Sequence, residues 1–194
     1  MCTFFTHSFS AVVMGKIIFR EKMSKRFWFA AMICASIPDA DVIGLKFGIE
    51  YGHLLGHRGF THSIFFAIFL ALLVVCIDFK QIRHYTKQWW KMILFFFAII
   101  SSHGILDAMT DGGLGIAFFS PFDETRYFLP WRPILVPPLG IGAFFSEWGL
   151  ETMVSEIKLV WLPLILLWGS VSLCRKFVWK NNSPDLSVEQ NISE

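Results

Sequence analysis

Two stretches of this chain carry side chains that can do chemistry together. Gly56-His57-Arg58-Gly59-Phe60-Thr61-His62-Ser63 sets two imidazoles and a guanidinium at the mouth of a long apolar run. Further on, His103 and Asp107 stand four apart in Ser102-His103-Gly104-Ile105-Leu106-Asp107. Imidazole is the commonest metal-ligating side chain, and a planar guanidinium suits phosphate. On a helix His103 and Asp107 share a face one turn apart, with Asp111 a turn later, while Gly104 and Ala108 let a neighbour come close. His57 and His62 are five apart, which fails that spacing, so a bend at Gly59 is expected to return His62 toward His57. Thr61 is the expected N-cap of the helix that follows. Pro38-Asp39-Ala40-Asp41 adds two carboxylates and His7 another imidazole. Taken singly, each has a plain explanation: a histidine bonded to a carboxylate, a turn with exposed acids, an arginine snorkelling to a membrane edge. Taken together they form a nitrogen and oxygen donor set, which suits zinc, manganese or iron rather than a thiolate site.

The elements that must position these residues are helices in a bilayer. Hydrophobic residues make up 55% of the 194, with 22 Phe and 8 Trp, and the mean hydropathy is +0.55, above the level of soluble domains. Residues 2–19, 27–37, 60–77, 92–108 and 159–174 are five apolar runs, and Pro38 is expected to close the second. Residues 39–59 are punctuated by glycine and read as loop, with room for a short helix. Between Leu114 and Ser155, Pro121, Pro130, Pro133, Pro137 and Pro138 argue against a regular span and for a re-entrant or interfacial segment packed on the bundle. The expected fold is an all-α integral membrane protein, a bundle of about five helices, forming one domain over 1–180 with a disordered polar tail at 181–194. The four cysteines form no C-x-x-C pair and read as small buried hydrophobes. No basic region precedes the first apolar run, so a cleaved signal peptide is not expected. A net charge of +2 gives no reason to expect nucleic-acid binding, and no G-x-S-x-G or Gly-rich phosphate loop is present.

Charge sets the expected topology. Arg20, Lys22, Lys25, Arg26, Lys80, Arg83, Lys87, Lys91, Arg175, Lys176 and Lys180 are eleven of the 17 basic residues, and all fall in the two short inter-helix loops and the tail. Such loops face the cytoplasm. Five alternating helices then place the C-terminus inside, and His7, Asp39, Asp41, His57, His62, His103 and Asp107 all near the outer face. The donors played no part in that assignment, so their convergence is an independent sign of a common site. Ionisable residues at membrane depth are costly and mark function.

In this order, His7, P-D-A-D at 38–41, G-H-R-G-F-T-H-S at 56–63, S-H-G-I-L-D-A-M-T at 102–110 and W-R-P-I-L-V-P at 131–137 resemble the YdjM-like family of bacterial inner-membrane proteins. Those proteins are described as membrane-bound metal-dependent hydrolases, some under SOS (LexA) control. The resemblance implies His7, Asp39 or Asp41, His57, His62, His103 and Asp107 as metal ligands, with Asp111 and His53 outside the pattern. A more distant likeness, to helical zinc phospholipases C and single-strand-specific zinc nucleases, stops short because no histidine follows His103. One or two divalent ions, zinc first, are therefore expected, with Asp41 among the ligands and Asp39 and Arg58 as the catalytic pair: a base and an anion clamp for a phosphoester, possibly lipid, substrate. The alternatives are a metal or ion transporter and a noncatalytic protein with a structural metal. A transporter places ionisable groups along a path near the midplane, whereas here they gather at one end.

Overall fold

The computed structural model describes residues 1–138 and 141–182. In chain order the helices are α1 (Phe4–Ile18), α2 (Lys25–Ser36), α3 (Val42–Lys46), α4 (Ile64–Asp78), α5 (Lys87–Ala108), α6 (Ile141–Phe144), α7 (Glu147–Glu156) and α8 (Leu162–Asn182). Each of α1, α2, α4, α5 and α7 begins at a Ser or Thr whose hydroxyl accepts an amide of the first turn: Thr3, Ser24, Ser63, Thr86 and Ser146. These caps satisfy donors that the helix itself leaves free. Ser63, not Thr61, caps α4, because the Thr61 hydroxyl is engaged elsewhere.

Three helical stretches are long and apolar enough to cross a membrane, Lys25–Lys46, Lys87–Ala108 and Glu147–Val178, and α1 and α4 are shorter apolar helices of 15 residues. At 1.5 Å per residue the short pair reaches about 22 Å, less than a hydrocarbon core of about 30 Å. Both therefore end where polar loop begins. Pro38 does not close the second run as expected. It enters the first turn of a 3-10 helix, Ile37–Asp41, which leads straight into α3, since a proline needs no donor in a first turn. The last run is also longer than expected, from Glu147 through a π-turn at Ile157–Trp161 into α8. Pro163 lies just past that turn and cannot supply an amide hydrogen to the preceding turn, a usual cause of such irregularity. Helix α8 continues to Asn182; residues 183–194 of the expected tail lie outside the described residues.

Helix α4 packs on α5, α1 on α2 and α8, and α2 on α5. The core is aromatic: Phe19, Phe27, Phe79, Phe95 and Phe96 are buried against one another in mostly edge-to-face pairs, a geometry worth about 0.5–1.5 kcal/mol per pair beyond burial. The outside is apolar too, with Phe65, Ile68, Phe69, Leu72, Leu73, Leu166 and Leu167 exposed, as lipid-facing helices require. Cys76 and Cys174 share that face rather than the interior, while Cys2 and Cys34 are buried as expected. The proline-rich segment folds back onto the bundle, tied by isolated bridges Thr110–Ile134 and Ile116–Tyr127, with Ile116, Ala117 and Ile134 fully or nearly buried. At the basic end of the bundle Arg26 pairs with Asp78, Lys91 with Glu21, and Arg175 donates to the Ile17 carbonyl.

Candidate metal centre

Four helix ends deliver the polar residues to one place at the opposite end: the start of α1 (His7), the 3-10 turn after α2 (Asp39), the turn before α4 (His62) and the last turns of α5 (His103, Asp107). His103 Nδ1–H donates to the Ala35 carbonyl at 2.8 Å, which assigns its Nε2 as a lone pair. His62 Nδ1 faces the Asp41 carboxylate at 3.2 Å and the Thr61 hydroxyl at 3.1 Å, so the same assignment holds for its Nε2. The two Nε2 atoms face each other at 3.1 Å. Asp39 Oδ1 lies 3.3 Å from His103 Nε2 and 3.6 Å from His62 Nε2, and Asp107 Oδ2 lies 3.8 and 3.7 Å from the same pair.

With both imidazoles neutral, four acceptor atoms converge without a donor among them, an arrangement whose repulsion a cation between them would relieve. Zinc bonds of about 2.0–2.1 Å imply tetrahedral edges of about 3.3–3.4 Å, and the five separations above bracket that length. The cage attracts positive charge. Asp39 Oδ1 and Oδ2, Asp107 Oδ2 and both nitrogens of His7 are buried with no hydrogen-bond partner, which is unusual in a native interior. The residues fit a divalent metal with mixed imidazole and carboxylate ligands. The outer carboxylate, Asp41, orients His62 as partners of metal-binding histidines do.

His7 stacks on His103, ring centroids 3.7 Å apart, with its Nε2 3.4 Å from Asp107 Oδ1 and 4.0 Å from Asp39 Oδ2. Cys2, His7 and Asp107 form a second donor group beside the cage, and Asp41, His57 and His62 a third. Asp39 thus belongs to the cage and Asp41 to the third group. Asp41 Oδ1 accepts from His57 Nδ1 at 2.6 Å; its Oδ2 accepts from the Thr61 hydroxyl at 2.6 Å and the Arg58 amide at 3.2 Å.

Arg58 departs most from expectation. Its guanidinium is fully buried, with Nη1 donating to the Gly112 and Leu114 carbonyls at 2.9 and 2.6 Å and Nη2 to the Thr110 hydroxyl at 2.8 Å. Only Nε is left, 3.8 Å from Asp107 Oδ2. The head faces neither solvent nor headgroups; it ties the loop after α5 to the cage. The bend between the two histidines is made at Arg58, whose φ is 65°, together with Gly59, whose ψ of −132° lies outside the helical and extended regions. A Cβ at Gly59 would collide with the Leu54 carbonyl. Gly104 plays the expected close-packing part: a Cβ there would stand 3.1 Å from the His62 carbonyl.

Of the remaining candidates, Asp111 accepts from the Val136 amide and His53 from the Leu55 amide, both away from the cage. Arg126 donates to the His57, Tyr51 and His53 carbonyls, and its burial lowers its pKa from the usual arginine value. Arg132 covers the Phe128 ring.

The sequence profile of the YdjM inner membrane protein family matches residues 1–182. The chain belongs to that family. The match takes in every element of the cage and α8 as well. The chain is also similar to the inner membrane protein YbcI of Escherichia coli (strain K12), 38% identical over 169 residues, covering 87% of this chain and 96% of that one. No solved structure matches.

Proposed function

We propose that this inner-membrane protein is a metal-dependent hydrolase acting on a phosphoester, a membrane lipid being the natural source, with its metal site on the periplasmic side and its basic end in the cytoplasm. The observation that carries it is the surplus of unpartnered donors. A structural zinc site closes with four ligands and leaves nothing over, whereas here His7 and further carboxylate oxygens remain beside a set of four. Asp39 is the one partly exposed cage residue, its side chain 12% exposed while both carboxylate oxygens are buried. His62, His103, Asp39 and Asp107 would hold the ion, with His7 adjoining. A divalent cation in such a site supplies Lewis acidity toward a phosphoryl oxygen and a nucleophile at neutral pH. Asp41 keeps the His62 imidazole turned into the cage, and Arg58 holds Asp107 there. Asp39 Oδ2, turned away from the two Nε2 atoms and without a hydrogen-bond partner, is the oxygen that would take up a proton.

A second reading, a noncatalytic structural metal, is favoured by the four protein donors themselves. Metal content of purified wild type against His103→Ala tests the site: equal, near-zero divalent metal in both would defeat either reading. Metal-dependent turnover of phosphodiesters and phospholipids in mixed micelles then separates the two. Loss of turnover on chelation, restored by zinc, supports the hydrolase, and a metal-loaded protein inert toward every phosphoester leaves only the structural reading.

A further inference from the structure

Glu156, the last residue of α7, is remote in sequence from every metal-ligand candidate and completely buried. Its carboxylate accepts three hydrogen bonds, all from the start of α1: the Thr3 amide at 2.6 Å, the Thr3 hydroxyl at 2.5 Å and the Thr6 hydroxyl at 2.5 Å. The Thr6 oxygen also accepts from Trp161 Nε1 at 2.7 Å. In an α-helix of 3.6 residues per turn, residues five apart fall on different faces. The π-turn at Ile157–Trp161 brings Glu156 and Trp161 to the same side, where both bond Thr6. Such turns concentrate at functional sites.

The neighbouring amide shows what this clamp is for. Cys2 N–H donates to Asp107 Oδ1 at 2.6 Å, so two consecutive amides, Cys2 and Thr3, are held by two carboxylates, one inside the cage and one outside it. With Oδ1 engaged, Asp107 Oδ2 is turned to the two Nε2 atoms. One turn after Thr3, His7 lies on His103. A buried carboxylate with only neutral donors pays a large desolvation penalty, and a neutral cap would satisfy a helix start without it. We propose that Glu156 is a positioning residue of the metal centre: by fixing the first turn of α1 it aims Asp107 and His7 at the cation. This rests on the metal-site reading above.

The test measures zinc affinity by chelator competition, and the visible absorption of the cobalt(II)-loaded protein, for wild type, Glu156→Gln and Thr6→Val in detergent. Thr152→Val serves as control. Thr152 is a buried residue of α7 that bonds the Trp148 and Val136 carbonyls, so its loss lowers stability without touching α1. Outer partners of metal ligands are worth about 10–100-fold in affinity. Glu156→Gln and Thr6→Val should weaken zinc by that factor and alter the cobalt spectrum, with Thr152→Val at wild-type affinity. Wild-type affinity and spectrum in both α1-side variants overturn the proposal, as does an equal loss in Thr152→Val. Should Glu156→Gln fail to fold, Thr6→Val decides. A wild type that binds no zinc or cobalt defeats the metal-site reading itself, a different result from any of these.

Discussion

Replacing Arg58 with alanine separates two roles that the same side chain can have. Were the guanidinium an anion clamp, Arg58→Ala would leave the fold and its metal intact and impair turnover alone. The structure calls for something else. Removal strips the donors from the Gly112 and Leu114 carbonyls and from one side of the Thr110 hydroxyl, and takes away the guanidinium next to Asp107. Three lost charge-assisted bonds, at about 1.5–3 kcal/mol each, and a broken buried ion pair, at about 3–5 kcal/mol, describe overlapping losses, so about 3–5 kcal/mol is the figure to expect rather than their total. For a chain of this size that lowers the unfolding midpoint by about 6–20 °C. Because Arg58 has φ 65°, Arg58→Gly escapes about 1–2 kcal/mol of left-handed strain, which offsets glycine's added chain entropy. It should therefore unfold no lower than Arg58→Ala. Differential scanning fluorimetry in detergent, paired with metal analysis, reads both quantities. An Arg58→Ala protein with wild-type midpoint and metal content refutes the buried-tie reasoning and returns Arg58 to the substrate.

Asp107→Asn should retain less metal than Asp111→Asn, since Asp111 only braces the Val136 amide; elemental analysis after dialysis checks the ranking. Saturating zinc should raise the wild-type midpoint, at 100 times Kd by about 2.7 kcal/mol of added stability, and should leave the Asp107→Asn midpoint nearly unchanged. Gly104→Ala has opposing effects: alanine favours the helix by about 0.8–1 kcal/mol, but its methyl presses on the His62 carbonyl. Zinc affinity should fall even where the thermal midpoint holds, and unchanged affinity by chelator competition contradicts the close-packing role. In a background lacking Cys76 and Cys174, an impermeant maleimide should label Phe122→Cys in intact spheroplasts and label Tyr85→Cys only after lysis, because the two residues are 78% and 79% exposed at opposite ends of the bundle. The converse pattern inverts the topology.

The spacing of His103 and Asp107 carried through to the cage because both lie on α5, where periodicity fixes the face. The five apolar runs, the proline-rich cover and the gathering of donors at one end were legible for the same kind of reason, hydropathy and charge acting over whole segments. Asp39 and Asp41 were not separable, since a 3-10 turn of three residues per turn sends neighbours two apart in different directions, and Pro38 disguised that turn as a helix end. The partners of Arg58 were not legible because its sequence neighbours are histidines, while the carbonyls of residues 112 and 114 lie across a loop with no pattern. Glu156 gave no signal at all. In Ser155-Glu156-Ile157-Lys158 it looks like one more solvated acid, and only the π-turn turns it inward.

Why the donors occupy helix ends follows from what a bilayer tolerates. Irregular backbone at membrane depth must be buried in protein, and this centre needs it: a left-handed Arg58, two 3-10 turns and the first residues of α1. Short α1 and α4 finish early enough to leave that backbone at the bundle's end, and the 114–138 segment covers it. Alternation of antiparallel helices brings the start of α1 and α4 to the finish of α2 and α5, so a donor set scattered over a hundred residues of sequence closes in one place. The arrangement also explains why the charge partners are backbone atoms. With the Gly112 and Leu114 carbonyls occupying the guanidinium and the Cys2 amide occupying Asp107 Oδ1, the remaining Oδ2 lies 3.8 Å from Arg58 Nε without a hydrogen bond and faces the two Nε2 atoms, where the proposed cation would sit.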